Sequence, residues 1–95
     1  MSSDPRMPVD QAASLFGLLS DETRLRMLLA LANGNGGVHV GGLAEALSVS
    51  QTAVSQHLQR LRLSGVVTHR REGRNVFYAL AQGLARDLLL RHVRP

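Results

Sequence analysis

The chain of 95 residues has no cysteine, no lysine and no tryptophan, and it has only two phenylalanines and one tyrosine. Without thiols it cannot form disulfides, thiolate metal sites or thiol redox switches. No apolar run approaches the roughly 18 residues of a membrane span. The first residues, MSSDPRMPVDQ, lack the apolar core of a signal peptide. We therefore expect a cytoplasmic protein without membrane contact.

Positive charge is concentrated in one segment. The net charge is +4 and the sequence pI about 11.4. Within positions 60–74 the one acidic residue is Glu72, while five of the eleven arginines lie there: Arg60, Arg62, Arg70, Arg71 and Arg74. Basic residues clustered in this way predict a contact with a phosphate backbone.

The length indicates a single domain with one modest core. Residues 1–8 contain two prolines and few apolar side chains, so we expect a flexible N-terminal arm there. Residues 9–95 would then form the domain. With 44% hydrophobic residues, the chain has the composition of a globular protein.

Two helices are predicted first. Apolar residues recur at helical spacing from Val9 to about Leu19. Phe16 lies in this helix, and we expect it in the core, with a subunit interface as the alternative. Ser20 is the expected N-cap of the second helix, which the glycine-rich segment 33–37 ends. Its inward stripe would be Leu25, Leu28, Leu29 and Ala32, with Arg24 and Arg26 off that stripe.

A helix-turn-helix pattern follows a short strand at Val38–Val40. The third helix is expected at about 42–47, with Leu43, Ala44 and Leu47 buried. Ser48, Val49 and Ser50 form the turn, and Ser50 is the predicted N-cap of a fourth helix, which runs from Gln51 to Ser64. In that helix Val54, Leu58 and Leu61 step by four and three, so they should face inward.

The opposite side of the fourth helix carries neutral hydrogen-bonding side chains, namely Gln51, Thr52, Ser55, Gln56 and Gln59. Solvated helix faces are usually rich in Glu and Lys, so a merely solvated surface is the less favoured interpretation. Amides can pair with adenine, and small hydroxyl side chains allow close approach to DNA. This face therefore predicts contact with base edges.

A hairpin and a last helix complete the chain. Residues 66–71 and 74–80 flank Glu72 and Gly73, with Arg70, Arg71 and Arg74 near the tip. These arginines favour a phosphate or minor-groove contact over a hairpin end that is charged only for solubility. The last helix is predicted from Ala81 to Val93. Its leucines need a partner, so we expect dimerisation through this helix and the first.

This order of elements is that of a winged helix-turn-helix: mainly α with a small β-hairpin, five helices and a two- to three-stranded wing sheet. Three segments resemble the ArsR/SmtB family of bacterial repressors: LLSDETRLRMLLALANG, GGLAEALSVSQTAVSQHLQRLRLSGVV and HRREGRNVFYAL. The resemblance covers roughly residues 9 to 93.

The resemblance implies a homodimer that binds double-stranded DNA at a palindromic operator and represses transcription. The implied base readers are Gln51, Thr52, Ser55 and Gln56. Backbone contacts would come from Ser50, His57, Arg60, Arg70, Arg71 and Arg74. His57 could equally be a surface histidine without a role. The implied dimer interface includes Leu15, Phe16, Leu84, Leu88 and Leu89.

The sequence departs from the family at the metal sites. Val38–Gly42 contains no cysteine where the family places thiolates, and Gln82 and Leu84 stand where a second site on the last helix has ligands. We therefore expect neither site and no firm cofactor. A nickel or zinc site of nitrogen and oxygen ligands would have to use His39, Asp87 and His92, or His69. A small molecule or a partner protein are the other candidate effectors.

Two other function classes remain as alternatives. A winged helix can serve as a protein-interaction or dimerisation module without binding DNA, but the wing arginines and the polar helix face argue against this. An enzyme is not expected, because no nucleophile–base constellation or phosphate loop is visible and the histidines are scattered.

Overall fold

The computed structural model describes residues 3–34 and 37–95. Over these residues it has five helices and three strands, which agrees with the predicted fold class. In chain order the elements are α1 (Val9–Leu19), α2 (Glu22–Asn33), β1 (Val38–His39), α3 (Val40–Leu47), α4 (Gln51–Leu63), β2 (Val67–Glu72), β3 (Asn75–Leu80) and α5 (Leu84–His92). Asn35 and Gly36, in the predicted glycine-rich end of α2, lie outside the described residues, as do Met1 and Ser2.

Helix α2 is the centre of the core, because it contacts α1, α3, α5 and β3. Leu28 and Leu29 of its predicted stripe are buried, whereas Leu25 and Ala32 are half-buried. Met27 and Leu31 are buried as well, since a helix enclosed on several sides buries more than one stripe. The side chains that are under 2% exposed are Met27, Leu28, Leu31, Leu43, Val54, Leu58, Leu61, Val67 and Leu89.

The N-cap of α2 is Asp21 and not Ser20, so that prediction was wrong. Asp21 has extended backbone (φ −96°, ψ 127°), and its Oδ2 accepts a hydrogen bond from the Arg24 N–H at 2.9 Å. Ser20 has helical backbone and ends α1, where its Oγ donates to the Gly17 carbonyl at 2.7 Å. An N-cap needs extended backbone, which only Asp21 has here.

Arg24 was expected on the outer side of α2, but its side chain is only 15% exposed. It lies against the junction of α1 and α2, with Nε 3.9 Å from Asp21 Oδ2. Its Nη2 donates to the Gly17 carbonyl at 3.5 Å, while its Nε is buried without a hydrogen-bond partner among the described residues. Arg26 is exposed as predicted and pairs with Glu22 at 3.1 Å.

Several element boundaries differ from the prediction. The hairpin strands each begin one residue later, so that the turn falls on Gly73 and Arg74 instead of Glu72 and Gly73, and α4 and α5 each end one residue earlier. Two further differences have a local cause. The strand β1 ends at His39 and α3 begins at Val40, because His39 Nδ1 accepts the Gly41 N–H at 3.2 Å and so caps the helix. The last helix begins at Leu84 instead of Ala81. The Ala81 N–H bonds to the Val66 carbonyl at 2.9 Å, and Gly83 has a φ of 146°, which only glycine adopts readily.

The three strands form one antiparallel sheet in the order β1-β3-β2. The hairpin of β2 and β3, called the wing below, turns at Gly73 (φ 62°) and Arg74, between the paired residues Glu72 and Asn75. Val67 and Leu80, a pair at the base of this hairpin, are buried in the core. The base of the hairpin is therefore anchored in the core, and its tip projects away from the core.

Residues 3–8 precede α1 without helix or strand. Arg6 donates hydrogen bonds to the Asp4 carboxylate, with Nη2 2.7 Å from Oδ2. These hydrogen bonds hold the pKa of the Asp4 carboxyl below its usual value. No helix in the described part of the chain is long and apolar enough to cross a membrane.

Candidate nucleic-acid interface

Helix α4 has the two faces that its sequence predicts. Val54, Leu58 and Leu61 are fully buried, and α4 contacts α3 and β2. The four candidate base readers, Gln51, Thr52, Ser55 and Gln56, are all exposed. Apolar burial therefore fixes the rotation of α4 about its axis, and the neutral polar side chains are left on its outer surface.

The turn before α4 is short and well hydrogen-bonded. Ser48 has left-handed backbone (φ 56°, ψ 41°) and ends α3, and the Val49 N–H bonds to the Ala44 carbonyl at 3.1 Å. Ser50 is the N-cap of α4, as predicted, because its Oγ accepts the Ala53 N–H at 3.1 Å. The exposed Ser50 thus lies at the positive end of the helix dipole, which suits a phosphate neighbour.

Gln51 lies beside the first turn of α3. A Cβ built on Gly41 would be 3.6 Å from Gln51 Nε2 and 3.4 Å from His39 Nδ1. Both distances are ordinary van der Waals contacts, so the side chains of Gln51 and His39 lie on the same side of Gly41. The first turn of α4 and the end of β1 meet at this point.

The three predicted wing arginines differ in their surroundings. Arg70 donates from Nε to Glu72 Oε1 at 3.0 Å, and its Cζ lies 5.0 Å from the centre of the Phe77 ring. Arg71 and Arg74 are exposed, and among the ion pairs of residues 3–34 and 37–95 neither takes part. Arg71 and Arg74 therefore present their guanidinium groups to solvent, whereas Arg70, whose side chain is 49% exposed, is bonded to Glu72 and lies over the Phe77 ring.

The remaining candidates for backbone contact lie on α4. Arg60 is exposed in the last turn, near the C-terminal end of the helix. His57 is half-buried, so a phosphate contact and a surface position without a role both stay open for it.

A second surface, on α1 and α5, contains the candidate dimer contacts. Phe16 is 51% exposed, so the expectation that it fills the core was wrong, and Leu84 is 47% exposed. Leu15 and Leu88 are half-buried. Leu89 is fully buried within the protomer and cannot contact a partner, so its assignment to the interface is corrected. Its neighbour Leu90 is 47% exposed and lies on the outer side of α5.

The candidate metal ligands lie on different elements. His39 caps α3, while Asp87 and His92 lie on α5 and His69 on β2. Among residues 3–34 and 37–95, no three histidine, aspartate or glutamate side chains form a group that could hold a metal ion. The expectation of no firm cofactor and the alternative of a nickel or zinc site with nitrogen and oxygen ligands both stay predictions, which calorimetry with divalent ions would test.

The α3–turn–α4 unit followed by the β2–β3 hairpin defines the class as a winged helix-turn-helix. HlyU from Vibrio cholerae has a similar structure, with a TM-score of 0.79 and 34% identity over 86% of this chain and 87% of that one. The homodimeric winged helix-turn-helix DNA-binding domain Mb0332 from Mycobacterium bovis is also similar, with a TM-score of 0.77 and 33% identity over 86% and 74% of the two chains.

The sequence profile of the family "bacterial regulatory protein, ArsR family" matches residues 21–69. The transcriptional repressor SmtB homolog of Synechocystis sp. is 44% identical over 85 residues, which are 86% of this chain. The matched region spans 63% of that relative's length. The chain belongs to the ArsR family of bacterial regulatory proteins, as the three segments of the sequence predicted.

Proposed function

We propose that the chain is a sequence-specific DNA-binding transcriptional repressor that acts as a homodimer. The observation that carries this proposal is the exposed polar face of α4 beside a hairpin that presents Arg71 and Arg74 to solvent. Arginines supply the attraction to phosphates, and amide and hydroxyl groups supply hydrogen bonds to base edges. Family membership and the homodimeric relative support the same function.

In the proposed complex, α4 lies in the major groove and the wing contacts the flanking backbone. Gln51, Thr52, Ser55 and Gln56 read base edges, and Ser50, Arg60, Arg71 and Arg74 contact phosphates. A two-fold dimer would present two copies of α4, so the operator would contain two half-sites in inverted orientation. Where such a site overlaps a promoter, its occupancy would exclude RNA polymerase and so repress transcription.

A binding selection and a set of alanine variants test the proposal. The wild-type protein would select duplexes from a random pool, and gel mobility shifts would compare the selected duplex with a scrambled one. Ser55→Ala and Gln56→Ala should each reduce the preference for the selected duplex by about 1–3 kcal/mol per lost base contact. Gln82→Ala, an exposed glutamine outside α4, is the matched control and should not change it.

The proposal is wrong if alanine variants of all four base readers discriminate the two duplexes as wild type does. It also fails if the wild-type protein selects no duplex at all.

We further propose that release from DNA does not depend on a metal bound by thiolates. The lack of cysteine supports this, because arsenite-type and cadmium-type sensing both need thiolate ligands. A small molecule, a metal held by nitrogen and oxygen ligands, or a partner protein would be the effector.

A further inference from the structure

His39 occupies the junction between the helix-turn-helix and the wing. It is the last residue of β1 and the N-cap of α3, and its Nδ1 accepts the Gly41 N–H at 3.2 Å. An imidazole can accept at Nδ1 only when that nitrogen carries no proton, so the hydrogen bond orients the ring as well as capping the helix. The ring, although exposed, is therefore held to the first turn of α3 by this one side-chain hydrogen bond.

The other side of this ring faces the wing. His39 pairs with Phe77 across β1 and β3, and the two ring centres are 6.0 Å apart at an interplanar angle of 61°. That is the edge-to-face arrangement that aromatic pairs prefer. Arg70 pairs with Phe77 across β2 and β3, and its guanidinium lies 5.0 Å from the same ring. His39, Phe77 and Arg70 therefore form a layer across all three strands on one face of the sheet.

The register shows where this layer lies along the hairpin. β1 pairs only with Tyr78 and Phe77, so the wing from Val76 to its turn extends beyond the end of β1. The base of the hairpin is held by the buried pair Val67 and Leu80. Along β3, Phe77 is thus the last position that pairs with β1 before the arginine-bearing tip.

We propose that His39 is a positioning residue that sets the angle of the wing relative to α4, by capping α3 at one end of its ring and packing against Phe77 at the other. Helices α3 and α4 pack on each other through buried side chains, so a ring fixed to α3 is fixed relative to α4. Because Phe77 lies on β3, which begins directly after Arg74, the contact between His39 and Phe77 also restrains the position of the hairpin tip. The inference rests on the proposed function, since its consequence is where the wing arginines meet the DNA.

His39→Asn separates the two roles of the side chain. Asparagine is a good N-cap residue, so its side-chain oxygen can replace the cap on α3, while the contact with Phe77 is lost. The loss of the edge-to-face pair should loosen the wing and so position its arginines less well. Affinity for the selected duplex should therefore fall about threefold to tenfold. The melting temperature of the free protein serves as the second measurement. Gln82→Asn, an exposed position outside α3, α4 and the β2–β3 hairpin, is the control and should bind like wild type.

A second background distinguishes positioning from a general loss of stability. In a protein with Arg71→Ala and Arg74→Ala, the wing has lost the groups that His39 would position. In that background, His39→Asn should leave the affinity for the selected duplex unchanged, although in the wild-type background it should lower this affinity. A merely structural role would lower affinity by the same factor in both backgrounds. Phe77→Leu should reproduce the effect of His39→Asn, and the double variant should be no weaker than either single one.

The outcomes of this experiment separate the two proposals. If wild type binds a selected duplex and His39→Asn binds it equally well, or if its effect persists without the wing arginines, the role of His39 is refuted and the proposed function stands. If wild type selects no duplex, both are refuted.

Discussion

Ser50, the N-cap of α4, and Ser55, within that helix, lie five residues apart, yet their hydroxyl groups have different neighbours. Ser50 Oγ accepts the Ala53 N–H at 3.1 Å, whereas Ser55 is exposed in the helix interior. Ser50→Ala should therefore lower the free energy of unfolding by about 1 kcal/mol, the usual effect of removing an N-cap. Urea denaturation followed by circular dichroism measures this change.

Ser55→Ala is the matched control for stability. Alanine is the better helix former at an exposed interior position, so the free energy of unfolding should stay the same or rise slightly. An equal loss of stability in both variants would contradict the assigned cap.

The adjacent leucines Leu89 and Leu90 also differ. Leu89 is 0% exposed and Leu90 is 47% exposed. Leu89→Ala should destabilise the protomer by about 2–5 kcal/mol through lost burial and a cavity. Leu90→Ala should cost the protomer much less and instead raise the dissociation constant of the dimer. Thermal denaturation and sedimentation equilibrium separate these effects, and a reversed pattern would place Leu89 at the interface after all.

Single residues also show how far the sequence could predict the structure. The inward positions Val54, Leu58 and Leu61 followed from helical spacing, because α4 has one apolar stripe. Four leucines close together on α5 cover more than one side of that helix, so spacing alone could not show which one enters the core. Ser20 and Asp21 are both good caps, and only the backbone angles at the junction decide between them.

At the scale of elements, the wing contains two kinds of arginine. Arg74→Ala should weaken binding to all DNA sequences about equally and reduce the salt dependence by about one phosphate contact per protomer. Arg26→Ala, which removes the same charge from α2, is the control and should have little effect. Titrations at several salt concentrations measure both, and a loss of sequence preference in Arg74→Ala would contradict a backbone role.

Arg70→Ala should behave differently, because Arg70 is bonded to Glu72 and packed on Phe77. Its removal should loosen the wing, and amide hydrogen exchange in β2 and β3 should become faster. Unchanged exchange together with an Arg74-like loss of affinity would show that Arg70 acts as a phosphate ligand.

The sequence predicted the order of the elements, since helical and alternating periodicities are local. It misplaced the start of α5, because the Ala81 N–H bonds to Val66, fifteen residues earlier in the chain. The layer of His39, Phe77 and Arg70 was also missed, since it depends on the register of three strands. The alternation in the hairpin could show that Arg70 and Glu72 share a face, but not that Phe77 and His39 join them.

At the scale of the whole molecule, the proposed dimer predicts both a spacing and a salt dependence. Two copies of α4 should read half-sites about 34 Å apart, one helical turn of DNA. If each protomer places Arg60, Arg71 and Arg74 on phosphates, the log–log dependence of affinity on salt should have a slope of about −5. Footprinting and salt titration measure these two quantities. A slope shallower than about −2 would mean that most of these arginines do not contact DNA.

The position of β2 at the edge of the sheet has a consequence for handling the protein. Within residues 3–34 and 37–95, the order β1-β3-β2 makes β2 an edge strand, and the backbone groups on its outer side could template pairing with another chain. Five successive residues of this strand, Thr68 to Glu72, are polar or charged and exposed, and such side chains discourage edge-to-edge aggregation. Variants that strip charge from this strand therefore risk precipitation, and light scattering should accompany every binding measurement made with them.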